Sequence, residues 1–430
     1  MGEFMWRGTI KYIKLEECLK AIDSHVRQSL PVEEVGISDA YGRFLAEDVI
    51  SNIDIPSCDI AHFDGYALRS SDVAQASPAN PIRLKIKARL YPSTKELISL
   101  GPGEAAYITT GSPMPAGADG VLPVEASVVK GEYLEVRYRV RPGDHVIKAG
   151  SDVKQGEVIL RRGHRLRGQD IALLALMGFT KVKVFSKPRV CIIPIGDELA
   201  DESRVLKPGE VPCNHALMIG SFASRDGGVP LYFARVPDDP FLISEAVLRA
   251  ASSSDLVLTI GGASRGEKDL VSTAISRIDG AKIVFHGMMT RPGRQTGFAV
   301  VNGKPLVILP GLVQSTIIGY QLIARSVMFK LMGLEVNDLT TKARMACDLR
   351  LPQPRGFKRV VFVELERNGN CYRAWPLIGE SALLSIPVRA HGYVLFDEGL
   401  DGVKRLRSGR SFTSLGWPLL DGPEAKVLES

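Results

Sequence analysis

Residues 255–270, DLVLTIGGASRGEKDL, hold two kinds of chemistry in one short stretch. A run of β-formers ends in Gly261 and Gly262, a small polar loop carries Ser264 and Gly266, and Asp269 arrives just before an apolar helical pattern resumes. A glycine turn between strand and helix lets the backbone approach a ligand with no Cβ in the way, and the N–H groups that open the helix favour an anion. Asp269 cannot meet a phosphate directly, so its presence points to a bridging cation or to acid–base work. Glycine turns after strands are common, and this stretch alone fixes no reaction.

Acidic residues beside glycines recur in three other segments: Asp64 in FDGYAL, Asp152 in AGSDV, and Asp197 with Glu198 in IGDEL. Carboxylates at tight turns suit Mg²⁺, a hard cation that takes oxygen ligands and leaves room for substrate phosphates. Asp-Gly is equally a plain turn dipeptide, so Asp64 stays open between the two readings. Arg291 and Arg294 flank a Pro-Gly turn in HGMMTRPGRQTGFAV, where guanidinium forks can clamp an oxyanion. A solvated loop is the alternative for them. Ser264 can donate to a phosphate or help cap a helix. His62, His215 and His286 lack an acid partner or metal-ligand spacing in the sequence and read as structural. No G-x-S-x-G elbow, Walker loop or GxGxxG turn is present, which argues against a nucleophile elbow and a dinucleotide site.

These residues need elements to hold them. Ile13, Leu15, Leu19, Ile22 and Val26 recur at helical spacing over 11–28. Between 51 and 138, short apolar runs such as IRLKIKARL and YLEVRYRV alternate with Gly- and Pro-rich turns, which predicts a small β domain. VILRRGHRLRGQDIALLALMG then gives a strand, a turn and a helix. From 188 onward strands alternate with helices: PRVCIIPIGDEL, HALMIGSFASRDG, VPLYFARV, DPFLISEAVLRAAS, DLVLTI, STAISRI, KIVFHG, TGFAVV and the long LVQSTIIGYQLIARSVMFKLMG. That order predicts a mostly parallel sheet covered on both faces, with ligands beyond the carboxyl ends of its strands. Both GDEL and GGASRGEKD fall at such ends. After 340 the short strands of FKRVVFVELERNG, CYRAWPLIG and AHGYVLFDEG predict a compact β-barrel or sandwich.

Composition excludes several classes. At 430 residues the chain needs about two to four domains. Apolar residues at 45% and charged residues at 24% are those of an ordinary globular protein. Fifty-four Lys and Arg against 48 Asp and Glu leave +6, with no basic block of the kind a nucleic-acid binder concentrates. The six cysteines are scattered, without a CxxC pair, as reduced thiols of a cytoplasmic protein are. The longest apolar stretch, 171–179, is too short to cross a bilayer, and no secretory leader is expected.

Taken in order, FDGYAL, TTGSPMPAGADGVLPVE, AGSDVKQGEVIL, GDEL, GGASRGEKD, RPGRQTGFAV, LPG and GESALLSIPVRAHGY resemble the molybdopterin molybdotransferase family, over about residues 12–415. The resemblance implies a transferase that inserts molybdate into adenylylated molybdopterin with release of AMP. It also implies a homodimer whose sites draw on both subunits. The implied fold is multidomain α/β plus β: a discontinuous N-terminal domain (5–50 and 139–186), an inserted β domain (51–138), a parallel-sheet α/β molybdopterin-binding domain (187–335) and a C-terminal small β-barrel (338–420). Motif by motif, Asp64, Asp152, Glu198 and Asp269 fall on catalytic positions. Thr110, Gly261, Gly262, Ser264, Gly266, Arg291, Arg294 and Ser381 fall on substrate-binding ones, with Glu198 and Asp269 as Mg²⁺ ligands. The chain departs from the family's usual wording at GGASRG, which adds Arg265, at RPGRQ, where lysines are usual, and at LPGLVQS, which lacks an Asn and a Pro. A tungstate-preferring paralogue, a non-catalytic pterin-binding scaffold and a phosphoanhydride hydrolase using only the α/β domain are the competing readings.

Overall fold

The computed structural model describes residues 12–27, 29–96, 98–200, 206–263, 269–336, 340–351, 356–369, 371–398, 402–403 and 412–416. The chain forms two compact units, Glu34–Val184 and Met1–Glu33 together with Phe185–Ser430.

In the first unit, six strands from Gly65 to Val136 make one mixed sheet, in the order 120–123, 65–68, 104–108, 82–90, 133–136, 128–130. Successive side chains of a strand point to opposite faces, so Tyr66 and Leu68 enter one apolar cluster with Leu84, Leu122 and Leu134. Ala67 enters another with Leu90, Ala106, Ile108 and Val121. Burial on both faces explains why this segment reads as β throughout. Gly65 is required because a Cβ there would collide with the Leu122 carbonyl of the paired strand.

The rest of this unit packs around Leu45, Leu160, Leu166, Leu174 and Val184, with helix Gly168–Leu176 opened by Asp170. His164 Nε2 lies 2.7 Å from the Asp170 carboxylate and Arg167 engages both of its oxygens at 3.0 Å. Burial alone would raise the Asp170 pKa, but Arg167 and His164 hold it well below the ordinary carboxylate value. Glu135, between Lys130 and Arg137 at 2.8 Å each, is pulled down to about 2 by those two cations. A carboxylate whose folded pKa is depressed stabilises the fold above its unfolded value and loses that contribution as pH falls through the folded one. Unfolding of Glu34–Val184 is therefore expected to become easier as pH drops from 4.5 to about 2, the ordinary and shifted values for Glu135. Thermal melts of Glu135→Gln should show a shallower acid dependence than the parent; parallel curves would remove Glu135 from the effect.

In the second unit, an α/β layer is built on β1 (Arg189–Pro194), β2 (Val229–Tyr232), β3 (Leu256–Ile260), β4 (Lys282–His286), β5 (Gly297–Val301) and β6 (Lys304–Leu309). The spatial order is β2-β1-β3-β6-β5-β4. β2, β1, β3 and β6 run parallel, β5 turns back antiparallel to β6, and β4, antiparallel to β5, points the same way as the parallel four. Helices α1 (Asn214–Arg225), α2 (Pro240–Ser253) and α3 (Leu270–Ser276) follow the first three strands or their loops. Pro240 sits at the first turn of α2, and Asp239 caps it by accepting from the N–H groups of Phe241 and Leu242. Ile193, Val257, Leu306 and Ile308 form the core under α2 and α3. The long apolar helix expected after 312 is interrupted: Val313–Gly319 and Arg325–Leu331 are α-helical, and Tyr320–Ala324 between them is a π turn.

At the other end of the layer, Asp226 is buried and takes Arg225 on both oxygens, at 2.9 and 2.6 Å. The Tyr320 hydroxyl donates to it at 3.1 Å, and Arg325 Nε lies 3.3 Å away. Helix Leu15–His25, expected to go with the discontinuous N-terminal segment, packs in this second unit. Lys330 pairs with Asp23 at 2.9 Å and Leu30 N–H donates to the Leu331 carbonyl. Its apolar stripe found the helix Arg325–Leu331 as partner, a choice that spacing alone does not make.

Beyond 340, strands 358–368, 371–376, 340–345, 412–416 and 392–396 pair in that order and close when 392–396 returns to 358–368. The expected barrel is thus a ring of five, with Val361, Val363, Ala374, Val394 and Phe396 inside. Among the described residues no helix is long and apolar enough to cross a membrane.

Candidate active site

Three loops meet where the parallel strands end. Ile195 N–H donates to the Ile260 carbonyl at 2.8 Å and Gly261 N–H to the Leu309 carbonyl at 3.1 Å, so the segments after β1, β3 and β6 lie side by side. Gly261 and Gly262 have φ of +93° and +63°, a region that glycine enters freely. A Cβ on Gly261 would collide with the Ile195 carbonyl, and one on Gly262 would come within 2.9 Å of Val271. Gly311, from LPG, lies over Gly261: its Cβ would stand 3.5 Å from the Gly261 Cα. His215, at the start of α1, shares this rim; burial lowers its pKa while the Gly311 backbone opposes that. Ser264 and Gly266 lie outside the described residues.

Asp269 closes the glycine loop through a bridge to Ala263 and stands at the N-cap of α3. One carboxylate oxygen accepts from Ser272 N–H at 3.2 Å, and the other faces His286 Nδ1 at 3.0 Å. The Ser272 hydroxyl is 2.8 Å from the same nitrogen. Burial opposes ionisation of Asp269, yet His286 and Ser272 keep its pKa below the ordinary value. His286 was expected to have no acid partner; it has one, because the final residue of β4 faces the helix that Asp269 opens. Its Nε2 is buried without a partner, which places the proton on Nδ1, where the carboxylate accepts it.

Glu198 and Asp197 are exposed in the loop after β1. Asp197 accepts from Asp238 N–H at 3.1 Å, while the Glu198 carboxylate folds over Gly196 and has no hydrogen-bond partner among the described residues. The described residues contain no cluster of three or more His, Cys, Asp or Glu side chains able to hold a metal. As placed, Asp269 has both oxygens engaged and is poorly suited to be a metal ligand, whereas Glu198 fits as a single carboxylate. Mg²⁺ commonly binds with one or two carboxylates plus water and phosphate oxygens.

The arginine turn is held by the barrel. Thr290–Arg291 pairs parallel with Lys358–Arg359, which sets Arg291 directly opposite Arg359. Burial and the adjacent Arg291 charge push the Arg359 guanidinium below its ordinary pKa, and Arg359 Nη1 is buried without a hydrogen-bond partner. Arg294 lies in the same turn, its carbonyl accepting from Met288 N–H. Ser381 is in the barrel turn 380–383, which is bound to the start of helix Val313–Gly319 through Gln314.

Asp64, Thr110 and Asp152 belong to the unit Glu34–Val184. Asp64 accepts from the Thr110 N–H at 2.7 Å and from its hydroxyl at 2.8 Å, and these two bonds lower its pKa. Phe63 beside it is exposed, with the rings of His62 and His145 at 4.6 and 5.0 Å. Asp152 is exposed, next to the Ile55–Val153 bridge, and its carboxylate has no partner among the described residues.

Residues 13–178 match the family description "MoeA N-terminal region (domain I and II)" and residues 191–330 match "probable molybdopterin binding domain". A molybdopterin molybdenumtransferase of Bacillus subtilis is 29% identical over 405 residues, 93% of either chain. Molybdopterin molybdenumtransferase 2 of Mycobacterium tuberculosis is 30% identical over 355 residues, 81% of this chain and 87% of that protein. A molybdopterin biosynthesis moeA protein from Pyrococcus horikoshii has the same fold, with a TM-score of 0.80 and 30% identity over 94% of this chain and 99% of that one. The chain belongs to the molybdopterin molybdenumtransferase family. It is an enzyme of molybdenum cofactor biosynthesis, with a molybdopterin-binding domain in the α/β layer.

Against this molybdenumtransferase frame, the residues missed in the sequence are His286, Arg359 and Gln314. Arg359 is one of the 54 cations and nothing local distinguishes it. Its register opposite Arg291, 68 positions earlier, is what makes it notable.

Proposed function

We propose that this molybdenumtransferase inserts molybdate into adenylylated molybdopterin and releases AMP. The observation that carries the reading is the Arg291–Arg359 pair. Arg359, whose buried Nη1 has no hydrogen-bond partner, stands directly opposite Arg291, and two like charges set together favour an anion beside them. A small tetrahedral oxyanion fits that need. Arg294 and the Ser381 hydroxyl would complete its contacts, and Gly261, Gly262, Ser264 and Gly266 would let the pterin and its phosphates approach the backbone.

Asp64, Asp152, Glu198 and Asp269 are the acidic groups of the reaction, with Thr110 fixing Asp64. His286 and Ser272 hold Asp269 ionised, ready to orient a proton or a substrate hydroxyl. Mg²⁺, met by Glu198 and the substrate phosphates, would neutralise charge on the phosphoanhydride. Asp64 and Asp152 lie in a unit separate from Glu198 and Asp269, and a homodimer sharing sites between subunits accounts for acidic groups dispersed in this way. A cytoplasmic location suits the unpaired cysteines.

The test supplies purified protein with Mg²⁺, adenylylated molybdopterin and molybdate, and follows AMP. Molybdate-dependent AMP release is expected, with tungstate competing. Pterin binding without AMP release would favour the scaffold, and molybdate-independent AMP release the hydrolase.

A further inference from the structure

Helix Val313–Gly319 starts with Leu312 at its N-cap and no side-chain hydrogen bond to cap it. Its first N–H groups therefore need acceptors from elsewhere. The barrel supplies one: Gln314 N–H donates to the Ser381 carbonyl at 3.1 Å. The Gln314 side chain extends the same contact, its Nε2 donating to the Glu380 carbonyl at 2.9 Å and to the Leu383 carbonyl at 3.2 Å. Gln314 is 5% exposed, so these bonds form away from water. A primary amide has two N–H donors, and both are committed to carbonyls three residues apart. Leu383 N–H donates to the Glu380 carbonyl at 3.0 Å, so the two acceptors are ends of one closed turn. The turn's backbone is pinned, while the Ser381 hydroxyl has no hydrogen-bond partner among the described residues. Gln314 also stands in LPGLVQS, where the chain departs from the family's usual wording.

We infer that Gln314 is a positioning residue that clamps the 380–383 turn to the loop after β6 and so presents the Ser381 hydroxyl to the molybdate oxyanion. This rests on the reading of Ser381 as part of the oxyanion contacts. Through the clamp, the α/β layer and the barrel present their parts of the site as one piece. A residue serving only to join the two domains would lower stability without singling out the oxyanion.

The experiment uses the full chain and sodium molybdate, with the dissociation constant measured by equilibrium dialysis. Amide exchange over 380–385 and melting temperature are followed in parallel. Gln314→Val keeps the backbone N–H and removes the fork; Gln314→Glu keeps the shape and turns a donor into an acceptor facing two carbonyls. Both are expected to weaken molybdate binding about tenfold, a typical loss for hydrogen bonds of this kind. Exchange over 380–385 should speed up, with pterin binding unchanged. Ser381→Ala should weaken molybdate binding to the same degree, and the double variant Gln314→Val/Ser381→Ala no further, because both act through one hydroxyl. Additive losses, unchanged exchange, or a Ser381→Ala variant that binds molybdate like the parent would each overturn the inference. A fall in melting temperature with equal losses for pterin and molybdate would also overturn it. Failure of the proposed reaction would appear separately, as absent AMP release from a parent that still binds molybdate.

Discussion

Asp269→Asn is expected to lower kcat/KM for AMP release by about 10²–10³, the range seen when one preorganised polar group is removed from a site. The variant separates charge from fold. An Asn oxygen can still accept from Ser272 N–H and cap α3, because Asn and Asp are equivalent at an N-cap. The amide NH₂, however, faces His286 Nδ1, now donor against donor, and the imidazole must move its proton to Nε2, where no acceptor waits. His286 and Ser272 keep Asp269 ionised although burial opposes it, so the lost charge is one that the surroundings were built to keep. Melting temperature should fall little while turnover collapses. Turnover like the parent's would remove Asp269 from the chemistry and leave it as a helix cap.

Asp226→Ala carries the largest expected loss of stability, about 3–5 kcal/mol, the cost of breaking a buried ion pair by removing one partner. Side chains of Asp226 and Arg225 are 4% and 9% exposed, and that of Arg325 is 7%. Without the carboxylate, two guanidinium groups and the Tyr320 hydroxyl face one another away from water. At this chain size each kcal/mol lowers the melting temperature by about 1–2 °C, so a drop of roughly 3–10 °C should appear in calorimetry. Asp226→Asn, which keeps shape and part of the hydrogen bonding, should fall between. A change under about 1 kcal/mol in both would show that water or neighbouring groups absorb the charge. The cluster lies far from the carboxyl ends of the strands, so the surviving folded fraction should keep the parent's molybdate affinity.

Local pattern revealed much of the scaffold and little of the site's assembly. The alternation in IRLKIKARL, the Asp-Pro start of α2 and the double glycine after β3 each have a cause within a few residues, and each appears where the pattern placed it. Asp269 and His286 are 17 positions apart, and spacing does not say which strand a helix covers. Arg291 meets Arg359 through the register between two strands from different layers, and Gln314 meets Ser381 through a closed turn 67 positions on. Periodicity reports which face is buried, not what buries it. The π turn at 320–324 was hidden for a similar reason: Leu322, Ile323 and Ala324 continue the apolar run of Ile317 and Ile318.

Closing the barrel also bears on how the protein behaves at high concentration. A ring of five strands offers no open row of N–H and C=O groups for another polypeptide to extend. The α/β layer is an open sheet, but both of its margins are blunted. β2 is four residues long and includes Pro230, which has no N–H to give. Past β4, Ile13 pairs with the 287–289 segment and occupies that margin. Strand-to-strand misassembly between copies is disfavoured at each of these places.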